Sequence, residues 1–315
     1  MINRADSHPH KPVLLEETVS QLITKFDGVY LDCTIGFGGH SSEILKRLDK
    51  DGKLIGIDYD PYALEYSKKR LSELNKNFEL FLSNYSEIKK NLISLNINQV
   101  DGILFDLGIS SYQVDSGYKG LSYKIDAPLD MQLTLDKDKN LEDLLYNSTE
   151  SEIADIIYKY GEERGSRKIA KSIFNYIKKG KMKTNQDLVK SIADVIPKRF
   201  LNKTLSRVFQ SFRIKVNDEF NNIVYSVIDA IHLLKPKGRL AIISFHSLED
   251  RLIKNIFRDF SKGGESVIKN MGFDFPQECT SLIRLITKKP ISPTWEQVKK
   301  NKRCRSAKLR IAEKI

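Results

Sequence analysis

The stretch Val29–Asp60, VYLDCTIGFGGHSSEILKRLDKDGKLIGIDYD, decides the fold. A short run rich in β-branched residues, Val29 to Ile35, leads into glycines at 36, 38 and 39. Helical spacing follows, with Ile44, Leu45 and Leu48 on one face, and a second apolar run, Lys53 to Ile57, ends on Asp58. Strand, glycine turn, helix, strand and acid form the opening unit of a parallel nucleotide-binding sheet. Glycine lacks a Cβ, so such a turn can take positive φ and let the backbone approach a ligand. An acid at the tip of the second strand, about twenty residues beyond the glycines, can accept both hydroxyls of a ribose. An ordinary βαβ crossover would explain the glycines but not the acid.

Spacing discriminates between two cofactors. A dinucleotide fold wants G-x-G-x-x-G or A, with a pyrophosphate on the helix N-terminus. Here the series from Gly36 to Ser41 puts a serine in the third slot, and Asp32 stands just before the turn. A carboxylate there repels a pyrophosphate but can pair with the amino group of a methionine moiety. S-adenosylmethionine, which carries an adenosine and a cationic sulfonium but no phosphate, suits the site better than NAD(P).

The chain has 315 residues, which predicts one large α/β domain plus an insertion. Its formal net charge of +11 points to a polyanionic partner such as nucleic acid. Cys33, Cys279 and Cys304 are too far apart for a C-x-x-C metal pair or a disulfide framework. No His, Cys or carboxylate set has metal-ligand spacing. The N-terminus lacks a hydrophobic core segment, and nothing later is long enough to span a membrane, so a soluble cytoplasmic protein is expected.

Working outward, His10 to Ile23 reads as an amphipathic helix. A helix over Pro61 to Leu74, a strand over Phe78 to Leu82, a helix near Glu87 to Leu95 and a strand over Val100 to Asp106 continue the α/β alternation. The alternation then stops. Leu107 to Ser122 reads as a loop, and Leu141 to Pro197 is helical throughout, with capping boxes at Thr149/Glu152 and Thr184/Asp187. A long helical stretch, Leu205 to Leu234, carries the chain back and is stopped by Lys235 to Gly238. A strand over Arg239 to Phe245 resumes the sheet, and Ser247 with Asp250 caps a further helix. Leu282 to Lys288 and Ala307 to Ile311 read as an antiparallel edge pair. The predicted fold is α/β: a Rossmann-like, mostly parallel sheet with an all-helical insert after its fourth strand. The core is expected over residues 1–112 and 206–315, and the insert over 113–205. Ligands of open α/β sheets bind at the carboxyl ends of the strands. The glycines at 36 to 39, Asp58, Tyr85, Asp106 and His246 all fall at such ends.

Several of these stretches resemble one family, the small-subunit rRNA cytosine-N4 methyltransferases (methyltransferase H, or MraW). The matching motifs are HKPVLLEE (residues 10–17), GFGGHS (36–41), DGILFDLGISS (101–111), PLDM (128–131), YGEERGSRKIA (160–170), FQSFRIKVNDE (209–219), ISFHSLEDR (243–251) and RSAKLR (305–310). They run in order through nearly the whole chain, and DLGISS and SFHSLEDR are far more specific than the glycine turn. The family's insert usually reads PLDMR; here Gln132 follows Met131, so no cation stands at that point. The resemblance implies an enzyme that uses S-adenosylmethionine to methylate the exocyclic amine of a cytidine in the decoding centre of 16S rRNA, within the small ribosomal subunit. It also implies that Gly38, Gly39 and His40 line the methionine end of the cofactor, that Asp58 takes the ribose and Tyr85 covers the adenine. Asp106 and Gln113 complete the pocket. For Tyr85, a core aromatic after a strand remains the other reading.

The cytosine amine is a poor nucleophile because its lone pair is delocalised into the ring. An acceptor holding an amine hydrogen localises that pair, and Asp106, or the carbonyl of Leu107, stands at the right strand end. DNA amine methyltransferases commonly carry D/N/S-P-P-aromatic here; Asp106-Leu107-Gly108-Ile109 lacks the prolines, which argues against DNA. Asp126 and Asp130 are further candidates for the base or the released proton, unless they only form turns. His246 either acts as a base or RNA contact, or hydrogen-bonds to neighbouring loops. Lysines 178, 179, 181 and 183 with Lys198, Arg199 and Lys203 form one basic cluster, and Lys299, Lys300, Lys302, Arg303 and Arg305 a second; both suit phosphates. Tyr112, Tyr118 and Tyr123 are placed to stack on bases. The competing classes are an NAD(P)-linked oxidoreductase, disfavoured by the missing third glycine, and a non-catalytic RNA-binding assembly factor, disfavoured by the intact acids at the strand ends.

Overall fold

The computed structural model describes residues 12–109, 113–114, 117–133 and 140–315. Helix α1 (Leu15–Leu22) precedes β1 (Val29–Asp32), α2 (Gly39–Arg47), β2 (Lys53–Asp58), α3 (Pro61–Ser72), β3 (Asn77–Leu82), α4 (Ile88–Ser94) and β4 (Val100–Asp106). Asp60 caps α3 by accepting from the N–H groups of Tyr62 and Ala63, and Pro61 occupies the first helical position, where its missing N–H costs nothing. β4 is buried along all but its last residue, the mark of a central parallel strand covered on both faces.

The helical insert contains α5 (Leu141–Tyr146), α6 (Glu150–Gly161), α7 (Ser166–Lys178), α8 (Asn185–Ala193) and α9 (Lys198–Asn217). The Thr149/Glu152 and Thr184/Asp187 capping boxes open α6 and α8 as their spacing predicts. Then α10 (Glu219–Leu233), β5 (Leu234–Ser244), α11 (Ser247–Lys262), β6 (Gly264–Glu265), α12 (Val267–Asn270), β7 (Glu278–Cys279), β8 (Ile283–Leu285), α13 (Trp295–Lys300) and β9 (Lys308–Lys314) finish the chain.

Seven strands form one sheet in the order β3-β2-β1-β4-β5-β9-β8; β6 and β7 pair separately. The pairs β1–β2, β2–β3, β1–β4 and β4–β5 are parallel, while β9 runs antiparallel to both β5 and β8. The edge pair is therefore as expected, and its reversed strand departs from the all-parallel dinucleotide order. Strand order changes direction between β1 and β4, so a crevice opens at their carboxyl ends.

The chain divides into two compact units, Met1–Gly108 with Phe220–Ile315, and Ile109–Glu219. The expected insert limits of 113 and 205 are thus too narrow. Helix α9 runs through residue 205 and buries Val208, Phe209 and Phe212 in a core made only of insert residues, including Ile153, Ile157, Ile169 and Ile173. The helical stretch expected from Leu205 to Leu234 is present as two helices: Asp218 takes a left-handed conformation (φ 51°) between α9 and α10. Arg213 fastens that break with two hydrogen bonds to Glu219, Nε to Oε1 at 2.7 Å and Nη2 to Oε2 at 3.0 Å.

Lys235 to Gly238 likewise does more than end a helix. It lies inside β5, where the register with β4 shifts between Val100 and Gly102 while Leu234 still pairs with Val100. Lys237 at φ 67° and Pro236, which has no N–H to donate, make this a bulge as well as the stop of α10. The Lys235 ammonium is tied back to Asp101 Oδ2 at 2.7 Å, and the same carboxylate accepts the Val29 N–H at 2.8 Å.

Candidate active site

The turn after β1 is built by two carboxylates. Asp32, 1% exposed, accepts from the Thr34 N–H at 3.1 Å and the Ser41 hydroxyl at 2.7 Å, tying the strand end to α2. Asp58 closes the turn from the next strand: Oδ2 accepts the Gly36 N–H at 2.7 Å and Oδ1 the Asp60 N–H at 2.9 Å. Gly38 caps α2 at φ 71°, a conformation that side chains rarely tolerate, and the Ser67 hydroxyl donates to the Gly36 carbonyl at 2.5 Å. Burial pushes Asp32 and Asp58 each up to about 6, against the lowering effect of these hydrogen bonds. Asp32 therefore braces the turn through both carboxylate oxygens.

Asp106 ends β4 beside them. Its backbone N–H donates to Thr34 Oγ1 at 2.7 Å, which couples the β1 turn to the β4 tip across 72 residues of sequence. Its Oδ1 is buried and has no hydrogen-bond partner among the described residues, while 24% of the side chain is open to solvent. Oδ2 lies 3.5 Å from His40 Nδ1. His40 Nε2 sits 3.0 Å from the Val13 carbonyl, an oxygen that can only accept, so Nε2 donates to it. Burial, then the charges of Asp32 and Glu249, push the Asp106 carboxyl up to about 8. A strand-end acid with a sealed, unmatched acceptor and a strongly shifted acidity is the signature of a reactive position.

His246 lies at the tip of β5, but its geometry is that of a cap. Nδ1 accepts from the Glu249 N–H at 3.3 Å, and Glu249 Oε2 accepts in return from the N–H groups of Phe245 at 2.8 Å and His246 at 3.3 Å. This capping box opens α11 one residue before the expected Ser247 cap. Nε2 comes within 3.0 Å of Glu249 Oε1 but is not aligned for a hydrogen bond. A ring committed through Nδ1 would have to surrender the cap to act as a base. His246→Ala should therefore cost stability, about 1 kcal/mol as for other lost N-caps. Calorimetry showing an unchanged melting temperature would remove this role. Glu249, 1% exposed, escaped sequence reading although its position three residues after the cap is the capping-box signal.

Tyr85 stands after β3 and meets Phe105 edge-on, ring centroids 5.8 Å apart, half-buried against the core. Gln113 is buried, 3% exposed, in the insert unit. Asp130, also in the insert, accepts the Gln132 N–H through Oδ1 at 2.9 Å, an Asx turn that puts Met131 at φ 59°. Asp126 is exposed in the same unit. Tyr123 does not present a free ring: it packs edge-on against Phe209, centroids 5.6 Å apart. Tyr112, the ring of Tyr118, and Ser110 and Ser111 of the DLGISS motif lie outside the described residues.

The three acids Asp32, Asp58 and Asp106 converge on the ends of β1, β2 and β4, and the hydrogen bonds to the first two come from neutral groups. Such an acceptor set repels a pyrophosphate and fits a ligand that brings positive charge and amine or hydroxyl hydrogens. The sheet order and this acid-lined glycine turn define a Rossmann-like methyltransferase. More narrowly, the chain belongs to the MraW methylase family, whose model matches residues 7–315. It is 43% identical over 316 residues to ribosomal RNA small subunit methyltransferase H of Brevibacillus brevis, covering 98% of this chain and 99% of that protein. The protein of the same name from Carboxydothermus hydrogenoformans is 42% identical over 311 residues, covering 97% and 98%. Among solved structures, an rRNA methylase of Streptococcus thermophilus is similar with a TM-score of 0.42 at 12% identity, covering 98% of this chain and 99% of that one.

Proposed function

We propose that this chain transfers a methyl group from S-adenosylmethionine to the exocyclic N4 amine of one cytidine in the decoding centre of 16S rRNA, acting on the small ribosomal subunit in the cytoplasm. Family membership and the small-subunit rRNA names of its relatives support the substrate class. The observation that carries the chemistry is the buried Oδ1 of Asp106 at the end of β4, which has no partner among the described residues. When bound, the cofactor supplies an electrophilic methyl on a sulfonium. Asp106 accepts a hydrogen of the target amine, which draws the nitrogen lone pair out of conjugation. The Asp106 carboxylate takes the amine proton as the methyl transfers, and His40 Nδ1 lies 3.5 Å from its other oxygen. Asp58, already held by two backbone N–H groups, keeps lone pairs for the ribose hydroxyls, and Gly38 and Gly39 let the cofactor approach the backbone. Tyr85 flanks the adenine.

Asp58→Ala should weaken S-adenosylmethionine binding by about 1–3 kcal/mol, the cost of losing hydrogen bonds to a charged acceptor. Calorimetric titration of a folded variant with unchanged affinity would take Asp58 out of the site. The reading as a whole is tested by mass spectrometry of 16S rRNA nucleosides from cells with and without the protein. N4-methylated cytidine should vanish without it and return with the wild-type chain but not with Asp106→Asn. A mark that persists, or one lost from a different base, would overturn the assignment.

A further inference from the structure

A surface outside the strand-end site carries a second feature of RNA chemistry. Helix α13 has six residues, none of them buried, too few for a helix to persist in water without support. It is nevertheless held firmly. Thr294 and Gln297 form a capping box, and the Gln297 amide donates to Glu17 Oε1 at 2.9 Å. Asn301 caps the following 3-10 turn (Lys302–Ser306), whose Cys304 is buried. Ile291, just upstream, exchanges two backbone hydrogen bonds with Leu309 of β9 at 2.9 and 2.8 Å.

What this immobilised segment displays is an aromatic ring among cations. Trp295, the only tryptophan in the chain, is 73% exposed. Lys299 Nζ lies 5.2 Å from its ring centroid. Lys299, Lys300, Lys302, Arg303 and Arg305 are all exposed, and between residues 288 and 305 the only carboxylate is Glu296. Single exposed apolar residues are common on soluble proteins, and a basic run alone is often a solvated face. A large ring held open on a rigid, one-signed surface matches neither case. It matches a ligand that offers flat bases and phosphates in alternation.

We infer that α13 and the 3-10 turn form a contact surface for single-stranded RNA, with an unpaired base stacked on Trp295 and flanking phosphates held by Lys299, Lys300, Lys302 and Arg305. The inference rests on the reading of the chain as an RNA methyltransferase and adds to it a gripping site for the strand that bears or neighbours the target. Every base has a π-face, so this surface supplies affinity without selecting sequence.

Because Trp295 is the sole tryptophan, its intrinsic fluorescence reports on this surface directly. Titration of the full-length protein with a single-stranded oligoribonucleotide of about ten nucleotides should quench that fluorescence saturably. Trp295→Ala should weaken binding about tenfold, and Trp295→Phe should restore most of the loss. Reversing Lys299, Lys300 and Lys302 to Glu should lower the slope of log affinity against log salt by about 2, three phosphate contacts at the single-strand value. For methylation of small-subunit RNA, Trp295→Ala should raise KM while leaving S-adenosylmethionine affinity as in the wild type. Absence of quenching, or unaltered RNA affinity and KM in Trp295→Ala, overturns the surface even if the wild type methylates rRNA. Quenching by anionic phospholipid vesicles but not by RNA overturns it equally. A wild type that binds the oligomer through Trp295 yet leaves rRNA unmethylated sinks the proposed function and leaves the surface standing.

Discussion

Asp106→Asn should lower the single-turnover rate of methyl transfer by about 10²–10³, the range seen when one group that stabilises a transition state is removed. RNA binding should persist, because the change removes charge but keeps shape. The same substitution should make the cofactor-free protein more stable in alkali. The folded-state acidity of Asp106 is raised from 3.8 to about 8, so the folded chain holds a proton that the unfolded chain releases. Stability conferred by the protonated form is complete below about pH 4 and is lost as pH climbs towards 8. Solvent reaches 24% of the side chain, which limits the expected difference at pH 9 to about 1–3 kcal/mol rather than the full shift. Asp106→Asn should therefore melt above the wild type at pH 9 and close to it at pH 4. In the wild type, kcat/KM should rise with pH until about 8, since that parameter reports the free enzyme and the ionised carboxylate is the better acceptor. A rate near wild type at saturating cofactor and RNA would end the proposed role. A loss confined to cofactor affinity would make Asp106 a binding residue instead.

Replacing the whole insert, Ile109–Glu219, with a short Gly-Ser linker should abolish methylation of rRNA while leaving most of the cofactor affinity in place. The insert has its own core of Ile153, Ile157, Ile169, Val208 and Phe212, so its removal takes away one packed unit whole. A narrower cut from Leu141 to Lys203 would be a poor experiment. It would truncate α9 and strip the buried faces of Val208, Phe209 and Phe212 of their partners, exposing an apolar stripe. The RNA-gripping part of the loss is checked separately. Lys179, Lys181 and Lys183 are exposed, and reversing all three should weaken RNA binding and flatten its salt dependence. A core that still bound and methylated RNA normally would move recognition to the C-terminal surface around Trp295.

The opening βαβ unit is legible in the amino-acid sequence alone. Its strands announce themselves by continuous β-branched runs, its turn by glycine, and its cofactor acid by the tip of β2. The paired boxes at Thr149 and Thr184 and the antiparallel edge pair are legible for the same reason, since side-chain periodicity and capping depend on neighbours within a few residues. The acids at the strand ends can be named as a site because parallel strands all point their carboxyl ends one way.

Other features need partners from distant parts of the chain. The bulge over Lys235 to Gly238 exists because Leu234 pairs with Val100, and the break at Asp218 because α9 is claimed by the insert's core. His246 carries chemistry-bearing atoms, yet its fate as a cap depends on Glu249 being sealed beneath it. Nothing local to Asp106 reveals that Thr34 would take its N–H, that His40 Nδ1 would lie 3.5 Å from its carboxylate, or that Oδ1 would find no donor among the described residues. Periodicity and turn chemistry are short-range, and a sequence displays them directly. The acidity of a carboxylate is set by what packs around it and what fails to pair with it, so the shifted acid at the centre of the site is decided only when β1, β4 and β5 come together.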